Sequence, residues 1–246
     1  MAEYTLSFTD KSEANSGWSS FYSYIPDYMV NMNNEFYTFK DGQLYIHNKP
    51  EGVRNNFYGQ QYNTEIEFLS NEGPSEVKIF KTIEIEGDSK EWDVTVATDI
   101  ESGHVNKADF ENKEGFKYSY IRRNASDEVN TELLSVQGVG NLVSSSSNLY
   151  TFSSVPGNVS IGDVLYSSSG GAYTKIGSIV SKTNTTVTLS SSLSAPSNGD
   201  FIFVAKNSVA ESYGLKGYYA SIRLVNSGSS PVEVFAVNSE VSKSFP

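Results

Sequence analysis

A chain of 246 residues without a single cysteine is long enough to bury a sizeable core in one large or two small domains, and it excludes disulfides, thiolate metal sites and thiol nucleophiles. The formal net charge of -11 falls on residues 1–130, because acidic and basic residues balance after Thr131; the clustered Lys and Arg of a nucleic-acid contact are lacking, and no nucleic acid is expected as a partner. This acidity reads as a solvating surface, with docking onto a basic partner as the lesser alternative.

The opening Met1-Ala2-Glu3-Tyr4-Thr5-Leu6 has no basic region followed by an apolar run, and no segment has the length of a membrane span. Cytosolic synthesis without membrane insertion is therefore expected. Tyr4-Thr5-Leu6-Ser7-Phe8 alternates large and small residues as a first strand does, and Thr9-Asp10-Lys11-Ser12 turns the chain. From Gly17 to Phe80 follows a ladder of rings, from Trp18, Phe21, Tyr22, Tyr24 and Tyr28 through Phe36, Tyr37, Phe39 and Tyr45 to Phe57, Tyr58, Tyr62, Phe68 and Phe80. The ladder reads as an aromatic core with Trp18 buried in it. Strand alternation turns about half the rings inward and leaves the rest as an apolar face suited to a neighbouring subunit. Asn33-Asn34, Asp41-Gly42, Asn55-Asn56 and Gly73-Pro74 supply turns, and Asp41-Gly42, between Phe36–Lys40 and Gln43–His47, predicts a hairpin with a type I′ loop.

Further on, Val77, Ile79, Phe80, Ile83 and Ile85 build a strand, Glu86-Gly87-Asp88-Ser89 interrupts it, and Trp92–Val96 resumes it, which predicts another hairpin. Lys107–Glu111 allows a single helical turn, and Phe116–Ile121 returns to strand, with Arg122, Arg123 and Asn124 leaving the core. At Thr131 aromatics thin out while Ser, Thr, Val and Gly rise. Six short apolar runs, at 133–136, 148–152, 163–166, 175–180, 186–189 and 201–204, suggest a small β-barrel or sandwich; a disordered linker is the alternative. After Ser208 the aromatic style returns in Tyr213, Tyr218 and Tyr219, and two strands around Asn226-Ser227-Gly228-Ser229 are expected to pair. The expected fold is all-β: an aromatic-rich, sandwich- or barrel-like domain of residues 1–130 and 209–246, into which a Ser/Thr-rich small β domain of residues 131–208 is inserted.

Material for catalysis is scarce. The only histidines are His47, on the strand after Asp41-Gly42, and His104. Asp99, Glu101, His104 and Asp109 form the one cluster of metal-capable side chains worth singling out, without a recognised ligand spacing. Gly138-Val139-Gly140 lacks the lysine or the strand-to-helix setting of a phosphate loop. No pair of carboxylates stands out for glycoside hydrolysis. No catalytic, cofactor-binding or metal residue is therefore assigned, and no cofactor is expected.

The succession 17–24 (GWSSFYSY), 34–48 (NEFYTFKDGQLYIHN), 56–59 (NFYG) and 77–83 (VKIFKTI), with an echo in 215–219 and 235–239, resembles a recurrent pattern in virion structural proteins of tailed bacteriophages, among them crass-like and large marine phages. The resemblance marks architecture and brings no catalytic residue with it. It implies a non-enzymatic component of the tail, baseplate or neck, made in the host cytoplasm and located in the virion. Such a component works through contacts with other virion proteins and with copies of itself. The alternative is an adhesin module that binds a host-surface receptor or glycan, its exposed rings stacking on sugars. A polysaccharide-degrading enzyme comes third.

Overall fold

A computed structural model describes residues 3–10, 16–123, 134–207, 210 and 213–244. The expected turn through Lys11 and Ser12, the strand start at Leu133 and the boundaries at 130–131 and 208–209 lie outside them. The described residues are almost entirely β, in agreement with the expected class, and their one short helix is a 3-10 turn at Lys107–Asp109, capped by the Asn106 side chain on the Ala108 amide. Compactness divides the chain into one unit of residues 1–65 with 225–232 and a second of 66–224 with 233–246.

The first unit carries β1 (Thr5–Thr9), β2 (Gly17–Tyr22), β3 (Tyr28–Met32), β4 (Glu35–Lys40), β5 (Gln43–Ile46), β6 (Asn56–Phe57) and β7 (Gln60–Gln61). They form a β1-β2 ribbon, a β3-β4-β5 sheet and a β6-β7 hairpin, all antiparallel. Two-residue hairpin loops of type I′ need both residues left-handed to match the strand twist. Asn33-Asn34 (φ 53° and 60°), Asp41-Gly42 (49° and 75°) and Tyr58-Gly59 (55° and 82°) meet that requirement. The Asp41 turn is braced by Asp27, whose carboxylate accepts from the Asp41 amide at 2.9 Å and from Lys40 Nζ at 3.1 Å. Those two donors, the amide first, hold the Asp27 carboxyl below the usual range.

The second unit opens with β8 (Thr64–Ser70), which straddles the division, β9 (Lys78–Phe80), β10 (Thr82–Gly87), β11 (Asp93–Thr98), β12 (Ser102–Val105), β13 (Glu111–Lys113) and β14 (Phe116–Tyr120). It continues with β15 (Val136–Asn141), β16 (Ser144–Ser146), β17 (Leu149–Thr151), β18 (Val164–Ser169), β19 (Ala172–Lys182), β20 (Thr186–Leu189) and β21 (Phe201–Ala205). It closes with β22 (Leu215–Gly217), β23 (Ala220–Asn226), β24 (Val234–Asn238) and β25 (Val241–Lys243). Three small sheets are ordered β13-β14-β10-β24, β12-β11-β23-β8 and β22-β9-β25.

Two expected hairpins are corrected by this topology. β10 and β11 lie in different sheets, as do β23 and β24. Thr82, Ile83 and Ile85 are all buried, so β10 is an interior strand that needs a neighbour on each edge, and it finds them in β14 and β24. The Asp88 turn is pinned to the approach of β24: the Asp88 amide donates to the Glu233 carbonyl at 3.2 Å, and the Glu233 amide to the Asp88 carboxylate at 2.8 Å. Gly214 sits at φ 70°, and a Cβ there would lie 2.4 Å from the Phe80 carbonyl oxygen, so glycine lets β22 close on β9.

The core of these sheets is mainly aliphatic. Ile83, Ile85, Val96, Val105, Leu215 and Leu224 are fully buried, each worth about 1.5–3 kcal/mol of transfer free energy. Its large ring is Trp92, 1% exposed.

Strands β15 to β21 form one antiparallel sheet, ordered β15-β21-β18-β19-β20-β17-β16, and among the described residues they pair only with one another. Val139 on β15 and Tyr150 on β17 belong to one buried cluster with Leu165, Ile176, Val187 and Ile202. A flat sheet would hold β15 and β17 about 24 Å apart at about 4.8 Å per strand, so the sheet curls around that cluster. β19 makes the bend, with register shifts at its pairings to both neighbours. The opposite face of β18 and β21 feeds a second cluster of Leu134, Val164, Tyr166, Phe203 and Ala205. Five of the six expected runs coincide with strands here. The first strand starts later than expected and takes in Gly138-Val139-Gly140, and Ser144–Ser146 is itself a strand.

Candidate interaction surface

In the first unit the rings separate into an inner cluster and two outer faces. Tyr24, 5% exposed, is stacked on Phe57 at 4.3 Å and on His47 at 5.3 Å between centroids, and Tyr58 meets it edge-on at 5.6 Å. Burial raises the Tyr24 hydroxyl pKa to about 12. Behind the rings lies fully buried Thr38, whose Oγ1 accepts from Tyr58 Oη at 2.8 Å and stands 2.6 Å from His47 Nε2. With Tyr58 donating to Thr38, the Thr38 hydroxyl can in turn give its proton to the Nε2 of a neutral His47.

Burial accordingly lowers the His47 pKa. The unfolded chain then takes up this proton at higher pH than the native one, so the contribution is complete above about pH 6.5 and declines as pH falls through the native pKa. The melting temperature will therefore drop as pH falls from neutral into that window, and the drop will be smaller in His47→Gln. Equal pH dependence in the two proteins would contradict this reading.

A cavity of about 180 Å³, lined by Thr5, Ser7, Tyr22, Tyr24, His47 and Phe57 among others, adjoins the cluster. Tyr24 itself is 5% exposed, which leaves little of its ring open to a sugar.

The outer faces overturn the expectation for Trp18, which is 63% exposed. On β1, Leu6 and Phe8 point outward while Thr5, Ser7 and Thr9 are half-buried, so the small hydroxyl residues face in and the large ones out. Leu6 pairs with Phe21 and Phe8 with Trp18. The register shift between Ser7 and Phe8 is what brings Phe21 and Trp18, three residues apart, to the same side. Tyr4 and Phe21 meet edge-on at 6.4 Å, Phe8 and Trp18 at 5.3 Å. The ribbon thus presents an apolar face, with Phe21 70% exposed. The β3-β4-β5 sheet does likewise: its inner side holds Phe36, Thr38 and Tyr45, and its outer side holds Tyr28 paired with Phe39, Phe39 with Leu44, and Tyr37 with Ile46.

The metal-capable residues serve structure instead. Asp99 accepts from the Tyr218 amide at 2.7 Å, and Glu101 accepts from the Lys216 amide at 2.8 Å while pairing with Arg123, so both acids anchor β22 and the residue after it. His104 bridges Arg122 through the backbone, and Asp109 ends the 3-10 turn. Among the described residues no three His, Asp or Glu side chains gather to hold a metal. In a cleft of about 490 Å³ in the second unit, Lys78 Nζ donates to the Gly73 and Glu76 carbonyls, and Lys243 pairs with Glu76 at 2.6 Å.

Comparison with known proteins finds similarity in a different stretch of the chain from the two outer faces. Residues 52–124 match the Crassvirus muzzle protein C-terminal domain. The muzzle protein of Bacteroides phage crAss001 is 38% identical over 84 residues, which is 33% of this chain and 6% of that protein. The expected likeness to virion proteins of crass-like phages is thereby shown. The family match takes in the quoted segments 56–59 and 77–83 and Trp92; segments 17–24 and 34–48 lie outside it. The chain spans only a small part of the length of this curated relative.

Proposed function

We propose that the chain is a non-enzymatic structural component of a crass-like phage particle, placed in the tail, baseplate or neck, and that it acts through contacts with other virion proteins and with copies of itself. The observation that carries this reading is the muzzle-domain match over 52–124, on a chain whose first unit turns large apolar residues outward on two faces. Apolar faces of that kind mark protein contacts. Residues 131–208 are an inserted module on this reading, free to carry a peripheral contact, including one to the host surface. Locating the chain in intact particles tests the proposal.

Exposed Trp18 and Phe8 favour a second reading, a glycan-binding adhesin module. Sugar sites combine a ring platform with convergent polar groups. The outward side of the ribbon, built from Tyr4, Leu6, Phe8, Trp18 and Phe21, offers Tyr4 and Trp18 as its polar atoms, which makes a protein the better occupant.

A further inference from the structure

The two outer faces of the first unit differ in shape. The β1-β2 ribbon is narrow, whereas β3-β4-β5 offers a three-stranded platform with cross-strand rows Tyr28–Phe39–Leu44 and Val30–Tyr37–Ile46 and with Met32 beside them. Charge is almost absent from this side. Lys40, on the opposite side of β4, is held by Asp27. Glu35, at the end of the outer face, is neutralised by Lys49 at 2.6 Å. We propose that this face packs against the same face of a second copy of the chain. The proposal rests on the reading of the protein as one that acts through subunit contacts, and it names one such contact.

Charge and area both point to a second copy. A twofold interface brings each patch against itself, so any net charge on it would repel its own image, and an uncharged patch on a chain of net charge -11 is where two copies can meet. A basic partner would instead be read by unpaired acids on the contact face, and the acid on this one is already paired. Taking about 150–250 Å² per aromatic side chain, the exposed parts of Tyr28, Met32, Phe39, Leu44 and Ile46 come to roughly 500 Å² per copy. Two copies would bury about 1,000 Å², the lower bound for a specific interface, so micromolar self-association is expected. Sheets packed face to face sit about 10 Å apart with aligned strands, a separation that lets these side chains interdigitate.

Sedimentation equilibrium of the full chain, from about 1 µM to about 200 µM to bracket that affinity, will show a reversible dimer. Leu44→Lys and Ile46→Lys, both at exposed positions, will each raise the dissociation constant about tenfold or more by burying like charges against each other. Their circular dichroism and melting temperatures will stay those of the parent. Trp18→Lys, on the ribbon, will still dimerise. A chain that stays monomeric across the range overturns the proposal, and so does a dimer indifferent to both sheet substitutions or one abolished by Trp18→Lys alone. A monomer that is nevertheless found in particles overturns this contact and leaves the structural role standing.

Discussion

Trp92→Ala will destabilise the second unit by about 3–5 kcal/mol, whereas Trp18→Ala will change stability by no more than about 0.5 kcal/mol. Trp92 is 1% exposed, so truncation empties a ring-sized volume that neighbouring strands fill only in part. Among the described residues its indole Nε1 has no hydrogen-bond partner, which makes the loss one of packing. For a unit of this size, about 2–4 °C per kcal/mol puts the shift in melting temperature on the order of 10 °C. Trp18 packs on Phe8 across the ribbon but faces outward, and its removal costs the folded chain little. Thermal unfolding of both variants, followed by circular dichroism, decides the assignment of core and surface. A large loss in Trp18→Ala with none in Trp92→Ala would reverse it.

Excising residues 131–208 and joining Asn130 to Val209 through a short flexible linker will leave the remaining strands folded. The reason lies at the root of the excised segment. The Lys206 amide donates to the Ser135 carbonyl at 3.0 Å and Val136 pairs with Ala205, so the segment leaves the fold beside the point where it enters. Its root is also locked from within. Fully buried Asp163 accepts from Lys206 Nζ at 2.6 Å, from the Ser160 amide at 2.8 Å and from the Asn207 amide at 3.1 Å. A buried carboxylate with this many donors has its charge matched inside the segment, so excision leaves no orphaned ion behind. From outside, the Arg122 guanidinium reaches the Lys206 carbonyl and will turn to solvent. Closing a shorter loop adds little entropy cost. The excised protein will keep a β-type circular dichroism spectrum and a cooperative melt, and will lose a peripheral contact in the particle. Failure to fold would mean that the Ser-rich strands belong to the main core.

What could be read from the sequence was local. Asp41-Gly42 and Asn33-Asn34 are recognisable because their residue types accept left-handed backbone, and both turns are where they were expected. Tyr58-Gly59 and Glu114-Gly115 adopt the same geometry, but a tyrosine or glutamate in the first position gives no such signal. Long-range pairing was not legible. Ile85 lies opposite Val237 and Lys117, and nothing within a few residues of Ile85 distinguishes that arrangement from a hairpin with Val94. The sense of the aromatic alternation was also hidden. Period-two patterning separates Leu6 and Phe8 from Thr5 and Ser7 but does not say which set faces in, and the bulge that places Trp18 beside Phe21 depends on pairing across the ribbon. Alternation implies outward rings as a class, but it does not say that Trp18 is one of them. Asp99 and Glu101 also bond backbone amides more than a hundred positions later, which no local pattern of acids reveals.

The most direct test of the structural role is to locate the chain in density of intact phage particles. Strands 64–120 are expected in an ordered position of the tail, baseplate or neck, with the outward apolar faces at residues 4–8 and 18–21 or at 28–46 covered by a neighbouring virion protein or by a second copy. Particles in which this chain occupies no position, while the free protein binds a defined glycan, would contradict it.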